Sequence, residues 1–214
     1  MRARAGSEVA FTLVELLVVI GIVILVLGFL IPALSTNSAR SVEAASRSFA
    51  AQLENARLLA LSERTRTRVL LPSTSADFSN PTTSPTPWPA DILRRGYVVT
   101  SQKKTEPLWR QRGKWSRLPD GVGVQTVIQP SVSPSPAPMG IDVSGSGVQT
   151  YTYNGHYIEF LANGSCSLDP TASPSPAVTI SDGIVDSNGN FFPKNRGLLT
   201  TVMLDPLSGS VLVK

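Results

Sequence analysis

One cysteine and one histidine in 214 residues remove several chemistries at once. With Cys166 alone, no intramolecular disulfide forms even in an oxidising compartment, so packing must supply the stability. His156 has no second imidazole beside it in the sequence, and Cys166 therefore lacks the partner a thiol nucleophile needs; both read as ordinary sheet-domain residues. Asp186, Asn188 and Asn190 hint at a calcium loop. Gly189 is misplaced for one, however, and no bidentate Glu follows at the required spacing, so a turn is expected. The formal charge of +4 is too mild to imply nucleic acid. No catalytic residue, metal site or cofactor is expected, and the chain reads as something other than an enzyme.

What the chain does have is an apolar run. Residues 10–34 read AFTLVELLVVIGIVILVLGFLIPAL. As a helix, 11–30 spans about 30 Å, the thickness of bilayer hydrocarbon. Its only charge is Glu15, which at that depth costs roughly 2.5–3.5 kcal/mol and so marks a functional residue. A transmembrane helix over 11–34 is expected. Arg2 and Arg4 keep residues 1–10 cytoplasmic and send the remainder outward, giving a single-pass inner-membrane protein with an extracytoplasmic C-terminal domain. A secretory signal fits poorly, because the run is too long and no A-x-A site follows. Thr12 and Glu15 also fit a capping box. Gly21 and Gly28, seven apart, fall on nearly one helix face.

Over 35–64 the helical period continues but becomes amphipathic. Val42, Ala45, Phe49, Leu53, Ala56 and Ala60 make one apolar stripe, with Arg40, Glu43, Arg47, Glu54 and Arg57 around it. From 65 to 214 short β-branched and aromatic runs alternate with turn residues, and strands are predicted at 68–71, 97–101, 108–112, 122–128, 148–153, 156–161, 178–181, 200–204 and 211–213. Asn154 and Gly155 predict a type I′ hairpin. Pro/Ser/Thr-rich stretches at 72–89, 130–138 and 170–177 read as exposed insertions outside the core. The expected fold is α+β: a long N-terminal helix, half membrane-spanning and half amphipathic, packed on an antiparallel, sandwich-like sheet domain.

The N-terminal residues Phe11, Thr12, Leu13, Val14, Glu15 and Leu16 resemble the processing and methylation motif of type IV pilins and type II secretion pseudopilins. The resemblance implies that 1–10 is a leader, that a prepilin peptidase cuts between Ala10 and Phe11, and that Phe11 is N-methylated. It also implies that Glu15 guides assembly and that Pro32 bends the helix. Ala10 stands where the family usually has Gly. A new α-amino group at Phe11, set near Glu15 of a neighbouring subunit, would offset burial of that acid. Farther on, residues 51–71, the segment 109–124 with Trp115, Leu118, Pro119 and Gly121, the residues Ile158, Phe160, Asn163 and Gly164, and finally Asp205, Pro206 and Gly209 resemble the H-type minor pseudopilins, the GspH/FimT group. This implies a structural subunit of a type II secretion pseudopilus, acting in protein secretion across the outer membrane. Its partners would be the prepilin peptidase, homologous pilin-like subunits and the inner membrane.

One cluster supports a different function. Trp109, Arg110, Arg112, Lys114, Trp115 and Arg117 interleave rings with cations, within the segment 109–124 for which the resemblance implies a tryptophan-containing hairpin, and Arg64, Arg66 and Arg68 share a face if extended. Such a strip suits single-stranded DNA, with bases stacked on the rings and phosphates on the cations. FimT-like minor type IV pilins bind DNA in natural transformation, which makes this the alternative. The other reading is a hairpin anchored by its tryptophans, with its charges in water.

Overall fold

The computed structural model describes residues 13–74, 77–79, 92–128, 137–141, 148–166 and 175–214, without the side chains of 27–37 and 137. Helix α1, Leu13–Glu63, runs through both units into which the chain divides, Met1–Ser38 and Ala39–Lys214. In the second unit the 3.6-residue period puts Val42, Ala45, Phe49, Leu53, Ala56 and Ala60 on one face, and all six are buried. Ser46 shares that face and is tolerated because its hydroxyl donates to the Val42 carbonyl at 2.8 Å. Arg64 ends the helix in the left-handed region (φ 51°), which lets the Thr65 N–H donate back to the Ala60 carbonyl at 3.2 Å.

Strands are the dominant element among the described residues. One sheet holds seven, in the order β2 (Phe78–Ser79), β7 (Gln149–Tyr153), β6 (Ala137–Ile141), β4 (Trp109–Arg117), β3 (Gly96–Gln102), β1 (Arg66–Leu71) and β8 (His156–Phe160). The other runs β10 (Phe191–Pro193), β9 (Ala177–Val185), β11 (Leu199–Leu204) and β12 (Val211–Val213), with β5 (Val122–Ile128) also paired to β9. The helix stripe packs into one core with Val69, Leu71, Tyr97, Val99, Ile158 and Phe160 of the first sheet and with Val122, Val124, Val178, Ile180, Val202 and Leu204 of the second. Phe49 meets Tyr97 edge-on, with ring centroids 5.2 Å apart. A second core of Leu70, Phe78, Ile92, Leu93, Val98, Trp109, Met139, Ile141 and Tyr153 covers the other face of the seven-stranded sheet. Covered on both faces, β1 and β3 are buried almost throughout and do not alternate.

The seven-stranded sheet must curl. β7 and β8 stand five strand spacings apart, about 24 Å if the sheet were flat. Only two residues separate Tyr153 from His156, a reach of about 11 Å at most. The sheet accordingly bends into a half-barrel. This corrects the predicted hairpin at Asn154 and Gly155: β7 pairs with β6 and β2, while β8 pairs with β1. Asn154 instead donates its N–H to the Asp77 carbonyl at 2.8 Å, and the Tyr153 hydroxyl donates to the His156 carbonyl at 2.5 Å.

Other expectations are corrected too. The α+β arrangement with a membrane-spanning half-helix gives way to a mostly β chain. Among the described residues no helix is long and apolar enough to cross a membrane. The transmembrane helix over 11–34 and the single-pass inner-membrane localisation built on it are overturned by that finding. The sheet is not wholly antiparallel, because β4 and β6 run parallel. The region 109–124 is not a hairpin: β4 lies in the first sheet beside β3 and β6, and β5 lies in the second beside β9. Nor are the proline-rich stretches wholly outside the core, for Phe78 is buried in the second core, Pro138 lies in β6, and Ala177 opens β9.

Candidate functional site

β4 carries Arg110, Arg112, Lys114 and Arg117, and its register with β3 decides whether they act together. Val99 pairs with Arg112 and Tyr97 pairs with Ser116, so residues 113–115 bulge opposite Val98. Gly113 supplies the left-handed backbone this needs (φ 81°). Val99 and Tyr97 face the helix-side core, which sets Arg112 on that side and, two residues earlier, Arg110. Trp115 packs on the opposite side, its ring 6.5 Å from that of Phe78, and by alternation Arg117 points the same way. The cations therefore divide between two faces. Arg110 is bonded to Glu106 at 2.9 Å, and Arg112 to Glu63 at 2.6 Å and to the Ser101 hydroxyl at 2.7 Å. Lys114 is exposed at the bulge.

The tryptophan expected to stack bases is already occupied. Trp109 is buried, with the Arg68 guanidinium 4.1 Å from its ring centroid and that of Arg66 at 5.8 Å. Arg68 also sits 4.2 Å from the Tyr157 ring, so it is held between two aromatics. Its Nε donates to Glu159 Oε2 at 2.8 Å, and Arg66 Nε donates to Glu159 Oε1 at 2.6 Å. Extended backbone does put Arg66 and Arg68 on one face, as their spacing predicts, but a single carboxylate from β8 draws both in. Arg64 lies before the strand. Glu159 carries no local sequence signal that marks it as the partner.

The remaining titratable candidates lie apart from β4. His156 is exposed at the start of β8. Burial pushes the Cys166 thiol up to about 12, only partly opposed by Arg57, which makes it a poor nucleophile at neutral pH. The Asn190 side-chain amide and neighbouring N–H groups hold Asp186 below the usual carboxylate range. Its Oδ1 accepts from the Asn188 and Asn190 N–H groups at 2.9 and 2.8 Å, so the suspected calcium loop is a closed turn around one acid. Among the described residues no three His, Cys, Asp or Glu side chains gather to hold a metal ion.

Of the motif at the N-terminus, Ala10, Phe11 and Thr12 lie outside the described residues, and Pro32 is among those whose side chains are not described. Glu15 lies in the first turn of α1, where the helix dipole favours an acid. Around it the large apolar residues from Leu13 to Val26 are all exposed by 47–78%. They occupy every side of the helix, and the space above Gly21 is open.

Compared with known proteins, this chain matches no family model, no curated protein and no solved structure.

Proposed function

We propose that this chain is a minor pseudopilin, a structural subunit of a type II secretion pseudopilus that serves protein secretion across the outer membrane. The observation that carries this reading is the α1 segment from Leu13 to Val26, apolar on all sides and exposed on all sides, with Glu15 as its only charge. An amphipathic helix needs one covering surface, whereas a helix apolar all round needs cover from several directions. Packing among equivalent helices of neighbouring subunits supplies that cover. A cation brought to Glu15 by a neighbour, such as the amine that cleavage before Phe11 creates, would compensate that acid and set the stagger between subunits.

DNA uptake by a minor type IV pilin is the competing role, and β4 lends it little support: its cations divide between two faces, and Trp109 is covered by Arg68. The test of the preferred reading is Glu15→Val, which keeps the apolar helix and removes the charge. In cells, cysteine crosslinking of the variant to its fellow subunits should fall to background while the amount of protein is unchanged. Crosslinking at the wild-type yield would overturn the assembly role of Glu15. Intact mass with and without the prepilin peptidase checks the companion expectation that Phe11 becomes the first residue.

A further inference from the structure

Three local irregularities of the second unit converge on one cleft of about 230 Å³. The first is Arg94, which has φ 55°, a left-handed conformation that costs a non-glycine residue about 1–2 kcal/mol and persists only when its surroundings enforce it. Here they do. Its N–H donates to the Pro72 carbonyl at 2.7 Å and its carbonyl accepts from the Val124 N–H at 2.7 Å. Its guanidinium is fixed by backbone oxygens: Nε donates to Gly189 at 2.6 Å, and Nη1 donates to Gln125 at 3.0 Å and to Val124 at 3.4 Å. Nη2 is left without a hydrogen bond to any described residue, and Arg94 lines the cleft.

The second irregularity is in β5. Val124 pairs with Ile180 and Thr126 with Thr179, so Gln125 is an extra residue, a bulge that re-aims its side chain. The third is the two-residue link that delivers His156 to the cleft from the far edge of the curled sheet. The Gln125 amide, the Thr126 hydroxyl and the His156 imidazole all line this space and hydrogen-bond to no described residue. Leu71, Pro72 and Val127 supply an apolar wall. Among the described residues no acid lines the cleft. Asp77, behind Ser73, has both oxygens engaged by the N–H and hydroxyl groups of Ser73 and Thr74, at 2.6–3.1 Å.

A rigid permanent cation, a few hydrogen-bonding groups and an apolar wall fit an anion with a short hydrocarbon body. We propose that this cleft binds a small organic carboxylate, either free or as the acidic side chain of a peptide, with Arg94 holding the charge and Gln125, Thr126 and His156 placed to orient it. Among the described lining residues Arg94 is the only arginine or lysine, so the second charge of a phosphate meets no second guanidinium or ammonium group. No residue of the Leu13–Val26 segment lines the cleft, so failure of either idea leaves the other standing.

The sole histidine makes the test direct. The full chain is treated with diethyl pyrocarbonate, and modification of His156 is read by peptide mass mapping in the presence of sodium butyrate, N-acetylglutamic acid α-amide, inorganic phosphate or 1-butanol. Butyrate, the peptide-like acid, or both should protect His156 saturably, with half-protection at about 1–10 mM; the tighter of the two identifies the source. The double variant Gln125→Ala with Thr126→Val leaves every backbone oxygen that clamps Arg94 in place and should weaken protection about tenfold. Absence of protection by both acids, equal protection by phosphate or 1-butanol, or unchanged protection in the double variant would each overturn the proposal.

Discussion

Removing the Glu159 carboxylate should destabilise the second unit far more than removing the arginine it holds. Glu159 bonds both Arg66 and Arg68, and the three side chains differ in exposure: 50% for Arg66, 8% for Arg68 and 13% for Glu159. The Arg66 arm is half in water, so its share is below about 1 kcal/mol. Among the described residues Arg68 has no second acid. In Glu159→Ala its charge stays buried between Trp109 and Tyr157 with only ring faces for company, a loss of about 3–5 kcal/mol. Arg68→Met is milder, about 1–2 kcal/mol, because Glu159 keeps Arg66 and Met fills the slot between the rings. Joining Arg68→Met to Glu159→Leu removes both charges and should return to within about 1 kcal/mol of the parent. Urea unfolding followed by tryptophan fluorescence, which includes Trp109, measures this as midpoint shifts at constant slope. Equal costs for the two single variants, or a Glu159→Ala cost below about 1 kcal/mol, would refute the view that Arg68 is a buried, singly partnered charge.

Phe49→Ala should cost about 3–5 kcal/mol in the same assay, since it empties a fully buried site and ends the edge-on contact with Tyr97. Because burial raises the Cys166 thiol from 9.0 to about 12, its neutral form is favoured by folding: that stability is complete below pH 9 and declines as pH rises toward about 12. The melting temperature should therefore fall more steeply above about pH 9 in the parent than in Cys166→Ala, and parallel curves would contradict the burial of the thiol. Across a salt series, oligonucleotides should show no saturable binding at physiological ionic strength; micromolar or tighter binding, lost when Arg110, Arg112, Lys114 and Arg117 all become Ser, would establish the DNA-binding alternative.

The helix stripe was legible because it depends on local geometry alone, so the six apolar positions from Val42 to Ala60 could be named from spacing. Strands β5 and β12 were legible to the residue for the same reason. Pairing was not. Asn154 and Gly155 carry a hairpin signal, yet their flanking strands take different partners, because a curled sheet makes sequence neighbours and sheet neighbours separate questions. Phe78 and Met139 sit next to turn-forming residues that hide short buried strands. At the candidate sites, the cations of β4 were visible as residue types, and alternation alone sets Arg117 on the other face from Arg110 and Arg112, while the bulge that carries Lys114 out of the ladder was not visible. Glu159 reaches Arg68 from 91 positions away, and the left-handed backbone of Arg94 is a tertiary imposition on a residue that rarely adopts it.

The pairing of β1 with β8 sets the order in which the molecule can be completed. The helix leaves the ribosome before the strands, and β1 and β3 can join it early, but Ile158, Phe160, Val178, Ile180, Val202 and Leu204, which close over the same stripe, are made about 100–150 residues after it. At about 5–20 residues per second, Phe49 and Leu53 wait on the order of ten seconds for that cover. Contacts so distant in sequence also pay their loop-closure entropy before they return any stability, which slows the final step. Throughout this interval the nascent chain presents both its apolar helix and open strand edges, so a holding chaperone has its greatest effect on yield before β8 is synthesised.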